Sequence, residues 1–217
     1  MDWYPLLNSL RIAAAATVVI FFLGVLCAQW TFRLPGWAKA LLDAVLTLPL
    51  VLPPTVVGWL LLLLLGPKRP LGRLAQSVFG CRLVMTWQSA ILAAVVVAFP
   101  LMYRTARGAF EGFDQELADA ARTLGYSNFL VFWRVQIPCC REGVLAGMVL
   151  AFARALGEYG ATSMLAGYTP GRTATISTTV YQLWRTGDDA GALRWVVINI
   201  IISAVFLLVL GRLERHQ

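Results

Sequence analysis

Charge is scarce in this chain and unevenly placed. Only 13% of its 217 residues are charged, against 59% hydrophobic, and Ile12–Phe32, Ala44–Pro67, Leu83–Tyr103 and Trp195–Gly211 contain no Asp, Glu, Lys or Arg. So little charge in such long apolar blocks does not make an ordinary soluble domain. No polar stretch is long enough to hold a nucleotide-binding or catalytic domain. Histidine occurs once, as His216 in the tail. The four cysteines, Cys27, Cys81, Cys139 and Cys140, lack metal-ligand spacing and two are adjacent, which argues against a metal site or a structural disulfide. There is no Ser/His/Asp set, no cluster of acids near the membrane and no phosphate-cradling glycine loop, so an intramembrane enzyme is disfavoured. No Ala-x-Ala site follows the first apolar run, so that run is expected to stay as an anchor.

What is present fits a bilayer. The first three charge-free stretches each have 20 residues or more, enough for a helix across roughly 30 Å of hydrocarbon. Trp195–Gly211 has 17, and Arg194 can snorkel to extend it. Gly143–Leu165 is apolar except for Arg154 and Glu158. The pattern predicts an all-α integral membrane protein, a single domain over 1–217, with spans at about 10–32, 42–66, 83–104, 143–165 and 194–212. The second span is punctuated by Pro49, Pro53 and Pro54, which remove backbone donors and predict a kink or break. Trp3 and Tyr4 suit a headgroup interface.

The net charge of +7 does not indicate nucleic acid, because the basic residues scatter over loops without interleaved aromatics. Membrane-flanking charge accounts for them, yet it does not set orientation. With the loop 105–141 inside, nine Lys or Arg fall inside and eight outside, Arg154 being in the membrane. That loop is long, and its spaced apolar residues (Phe110, Phe113, Leu117, Leu124, Phe129, Phe132, Trp133) predict two or three short helices. Its charges balance over 104–142, five basic against five acidic, which suits a protein-docking surface rather than a lipid-binding one. Segments 66–82 and 166–192 are expected as loops on the other side, with Gly72, Gly80 and Pro170-Gly171 as turns.

Several residues could serve a pathway. Arg154 and Glu158 stand four apart, so on one helix they share a face and can pair. Each charge costs about 2.5–3.5 kcal/mol at mid-membrane, so both should face protein or water. They serve either as a gate element or as an ion pair that locks helices. Thr55, Thr162 and Ser163 offer hydroxyls beside the broken second span and the fourth span, suited to an oxyanion in passage or simply to their own helix carbonyls. Gly143 with Gly147, and Gly157 with Ala161, are small-x-x-x-small spacings that permit close helix crossings.

The most specific signal is in the long loop. Asp119-Ala120-Ala121-x-x-x-Gly125 is followed after nine residues by Val135-Gln136-Ile137-Pro138. Small side chains at Ala120 and Ala121 allow close approach by another protein. Gly125 lets the backbone leave a helix through positive φ, and Pro138 suits a first helical turn. The arrangement resembles the Glu-Ala-Ala loop of ABC-importer permeases, with Asp119 for the Glu, Val135 for an Ile and Ile137 for a Leu. The runs Pro49–Gly58 and Ala151–Ala161 look like membrane segments of the molybdate permease subunits.

The resemblance implies a type I ABC importer permease fold, in which Asp114–Leu124 is the coupling helix and Asp119, Ala120, Ala121, Gly125 and Pro138 belong to the ATPase-coupling surface. It implies two copies of this chain, two copies of a separate ATP-binding subunit, and an extracytoplasmic molybdate-binding protein that delivers the oxyanion. The subunit would sit in the cell membrane among lipid, N-terminus outside and C-terminus cytoplasmic. It would need no cofactor of its own, since ATP is bound by the partner, and do no chemistry. Sulfate, thiosulfate or tungstate remain alternative cargoes, because sulfate permeases share a similar Gly-Glu-Tyr-Gly segment; a structural scaffold is a further alternative.

Overall fold

Three long helices set the frame of the computed structural model, which describes residues 2–32 and 34–215. They are α1 (Tyr4–Thr31), α5 (Trp87–Glu111) and α12 (Asp189–Arg215), and each contains a stretch long and apolar enough to cross a membrane. Among the described residues there is no strand. Two helix pairs join them as bent spans, so the membrane crossings number three, or five if each bent pair counts as one.

The first bent pair is α2 (Gly36–Val51) and α3 (Pro54–Leu65), which turn by 113°. The sequence locates the turn. Leu52 precedes Pro53 and is held extended at ψ 141, and Pro54 opens α3 at its first position. Pro49 lies inside α2 and does not end it. Only two of the three prolines make the break.

The expected continuous helix over 143–165 is instead two. After α6 (Gln115–Thr123), α7 (Asn128–Val131), a π-helical segment (Phe132–Gln136) and α8 (Ile137–Cys139), α9 (Arg141–Leu156) stops before Gly157, and α10 (Gly160–Leu165) follows. The stretch Asn128–Cys139 meets α9 at 78°. Two segments read as loops also contain helices: α4 (Pro70–Phe79) and α11 (Ile176–Arg185). Gly72 is therefore not a turn. It sits in α4, where a Cβ would come within 2.0 Å of the Gly66 carbonyl oxygen. Gly80 and Gly171 do turn, at φ 63 and 69.

Small residues hold the bundle together. Ala13, Ala16 and Ala28 of α1 and Ala90, Ala94, Ala98 and Ala106 of α5 are fully buried where these helices cross. A Cβ on Gly24 would come within 2.7 Å of Met102 Cγ. Without a hydrophobic drive between helices in lipid, close backbone approach supplies the contact. On the opposite helix faces Val18, Phe22 and Leu26 of α1 and Val197, Ile200 and Ile201 of α12 stand exposed, as lipid-facing side chains do. The start of α1 is tied across the bundle to the segment before α11. Tyr4 Oη donates to the Arg172 carbonyl (2.6 Å), Asn8 Nδ2 to the Ala174 carbonyl (2.9 Å), and Ile176 N to Ser9 Oγ (2.9 Å).

Candidate functional site: a protruding helix and a junction of two broken helices

After the last turn of α5, α6 packs on α7 and the π-helical segment. Asp114 caps α6, accepting from Glu116 N at 2.9 Å. Gly125 ends it at φ 87, with Tyr126 N donating to the Ala121 carbonyl (3.2 Å) and Gly125 N to the Arg122 carbonyl (2.9 Å). Those two bonds are a Schellman closure, which requires a left-handed residue at that position. A Cβ on Gly125 would meet nothing within 4 Å, so the requirement is one of backbone, not of space.

The two alanines of the motif part company. Ala120 is exposed, whereas Ala121 is buried with Ala118 against the chain's own core. The outward surface is instead built from Leu117, Leu124, Tyr126 and Phe129, all exposed, with Leu124 at 79%. Asp119 lies 2.5 Å from Arg122, whose Nε donates to Asn128 Oδ1 at 3.0 Å. The acid thus braces α6 against α7. Pro138 enters the first turn of α8. Behind α6 lies a cavity of about 650 Å³, lined by Gln29, Trp30, Phe110, Arg122, Trp133 and Gln136 among others.

The second constellation is where the broken helices meet. A Cβ on Gly58 of α3 would lie 2.7 Å from Ala161 Cα, and one on Gly160 would lie 2.9 Å from Pro54 Cβ and 3.0 Å from Thr55 N. The start of α10 is thus in backbone contact with the start of α3. Of the two small-residue pairs, Gly143 and Gly147 pack α9 on α5, facing Ala109, Met102 and Thr105. Ala161, not Gly157, makes the other crossing.

Arg154 and Glu158 do pair, with Arg154 Nη1 2.6 Å from Glu158 Oε2, but not along one helix. Glu158 lies in the break, almost wholly buried, and its Oε1 accepts from Ala161 N at 2.8 Å. In a continuous helix that amide would bond Gly157; the carboxylate takes the carbonyl's place and caps α10. The contact with Arg154 is a charge pair rather than an aligned hydrogen bond, since Oε2 has no hydrogen-bond partner. Glu158 therefore holds the break open from both sides. Thr55 is exposed. Ser163 Oγ donates to the Gly160 carbonyl (2.9 Å) and borders a cavity of about 360 Å³ with Tyr159, Gln182 and Arg185. Thr162 is buried at 2% exposure, so in this conformation it borders no open path.

One cluster escaped sequence reasoning. Asp43 of α2 accepts from Tyr103 Oη and pairs with Arg107, both on α5. Lys39 Nζ lies 3.1 Å from Glu111 Oε1, which Arg107 Nε also meets at 3.0 Å. The spacings Lys39/Asp43 and Arg107/Glu111 are visible as helical neighbours, but nothing in the sequence shows that they face each other.

A bundle of apolar helices with two broken spans and a capped helix following α5 defines a membrane transport subunit. Residues 20–217 match the family described as binding-protein-dependent transport system inner membrane component, and the chain belongs to that family. It is 41% identical over 220 residues to the molybdenum transport system permease protein of Escherichia coli K12, covering 100% of this chain and 96% of that one. A putative molybdenum transport system permease protein of Bacillus subtilis is 38% identical over 98% of this chain and 93% of its own length. A probable molybdenum ABC transporter permease protein of Haloferax volcanii is 39% identical over 92% and 72%. Among solved structures, a methionine ABC transporter in an inward-facing conformation superposes with a TM-score of 0.73, at 16% identity over 98% of this chain and 94% of that one. A bacterial ABC transporter that imports alginate gives 0.78, at 17% identity over 98% and 78%. At such identities these two establish the fold, that of the type I ABC importer permeases.

Proposed function

We propose that this chain is the membrane-spanning permease subunit of an ATP-driven importer of molybdate. The observation that carries the reading is the match along 92–100% of the chain to molybdenum permeases from bacteria and an archaeon, at 38–41% identity. The geometry supports a division of labour. The α6 end, with its exposed Leu117, Leu124 and Phe129, is the cytoplasmic docking surface for a separate ATPase. The α3–α10 junction, with Thr55, Arg154, Glu158 and Ser163 around it, borders the path of the anion. An extracytoplasmic binding protein delivers molybdate to the opposite end, and two permease chains work with two ATPase chains. ATP binding closes the ATPase pair, draws the α6 helices together and opens the path outward; hydrolysis resets it. In this orientation the N-terminus is outside and the C-terminus cytoplasmic. No step of the chemistry falls on this chain, and ATP is held by its partner.

Complementation tests the reading. A bacterial strain lacking its own molybdate permease, given this chain with its cognate ATPase and binding protein, should recover molybdoenzyme activity at low external molybdate. Recovery that appears only with external sulfate supply, or not at all, would contradict it.

A further inference from the structure

We infer that the cluster of Lys39, Asp43, Tyr103, Arg107 and Glu111 is the mechanical link that carries movement of α6 to the broken span. The inference rests on the transport reading above.

The chain of contact is continuous. α6 follows α5 after Gly112, Phe113 and the capping Asp114, with Phe113 N donating to the Phe110 carbonyl at 3.3 Å and Phe113 and Ala118 buried beneath. Displacement of α6 therefore reaches the last turns of α5, which carry Arg107 and Glu111. These turns hold α2 through three groups of contacts: Asp43 with Tyr103, Asp43 with Arg107, and Lys39 with Glu111. Beyond Val51 the chain bends by 113° into α3, whose Gly58 abuts Ala161 of α10.

The polar character of the link is what singles it out. α2 has no buried residue, and α5 is the helix it chiefly packs on. An amphipathic seam of Leu and Ala would hold α2 by area alone and let it slide. The side chains of Asp43 and Arg107 are instead three-quarters covered, and Tyr103 is fully buried, its ring stacked on Phe99 at 5.9 Å. Hydrogen bonds and ion pairs fix register and direction, so α2 follows α5 in one geometry. Tyr103 anchors the cluster in the core and Glu111 ends it at the surface. These five are positioning residues: none lies against the junction of α3 and α10.

The test uses the complete complex of permease, ATPase and binding protein in proteoliposomes, reading molybdate uptake and ATP hydrolysis together. Asp43→Asn and Tyr103→Phe are expected to assemble at wild-type yield, to keep basal hydrolysis within about twofold, and to lower molybdate carried per ATP by roughly tenfold. Glu111→Gln, which weakens the contacts to both Lys39 and Arg107, should lower uptake per ATP in the same direction. The wild-type complex is measured first, because failure there would sink the transport reading and not this one. With the wild type active, unchanged uptake per ATP in both variants would overturn the inference. So would a parallel fall of uptake and hydrolysis in both, which is the signature of a purely structural role.

Discussion

Gly125 offers the sharpest test of the docking helix, because its demand is isolated. A valine there must either hold φ near 87 or release it. Holding it costs a β-branched side chain about 1–3 kcal/mol. Releasing it breaks the bonds from Tyr126 N to the Ala121 carbonyl and from Gly125 N to the Arg122 carbonyl, and with them the direction in which Tyr126 and Phe129 leave α6. No clash adds to the penalty, since nothing lies within 4 Å of the added Cβ. If the strain is relieved by abandoning the docked shape, affinity for the ATPase falls about 5- to 150-fold. The assay is retention of the ATPase by solubilised permease at matched amounts of permease. Gly125→Asn should stay near wild type, because Asn tolerates the left-handed region, and Gly125→Ala should fall between. Gly112→Ala, at φ −82 and with only ordinary contacts at 3.8 Å to the added Cβ, is the control. Undiminished retention by Gly125→Val, or equal loss by Gly125→Asn, would refute the reasoning.

Three further outcomes are expected. Arg154→Ala, which strands the buried Glu158 carboxylate, should cost about 3–5 kcal/mol of stability, and the double change with Glu158→Ala less than the sum; thermal unfolding in detergent reads both. Gly58→Leu should prevent stable assembly, because its Cβ would sit 2.7 Å from Ala161 Cα, whereas Gly108→Ala in open space should be neutral or stabilise by about 0.5–1 kcal/mol; yield of monodisperse protein distinguishes them. A single cysteine at position 55, with the four native cysteines removed, should react with a membrane-impermeant thiol reagent in one nucleotide state only; no labelling in either state would take α3 out of the pathway.

Much of this architecture was legible because membranes write their demands plainly. The absence of charge from Ile12–Phe32 and Leu83–Tyr103 marked α1 and α5, since lipid tolerates no alternative. Gly125 was legible because glycine is the usual residue at a left-handed helix end. The break at Gly157 was not, because a carboxylate replacing a backbone acceptor looks in sequence like an ordinary i, i+4 pair. Ala121 read as a docking residue for the same reason that it packs well: a small side chain suits a partner and a core equally. The Asp43 cluster stayed hidden because charges at span ends usually face water, and only the fold brings α2 against the end of α5.

The central claim is that this chain forms a path for molybdate driven by a partner's ATPase. Its most direct test is uptake of labelled molybdate into proteoliposomes that contain this chain, its cognate ATPase and ATP inside, with loaded binding protein outside. The account predicts accumulation that requires all of these, that persists in the presence of excess sulfate, and that is lost when this chain is omitted. Accumulation that excess sulfate abolishes, or that proceeds without this chain, would contradict it.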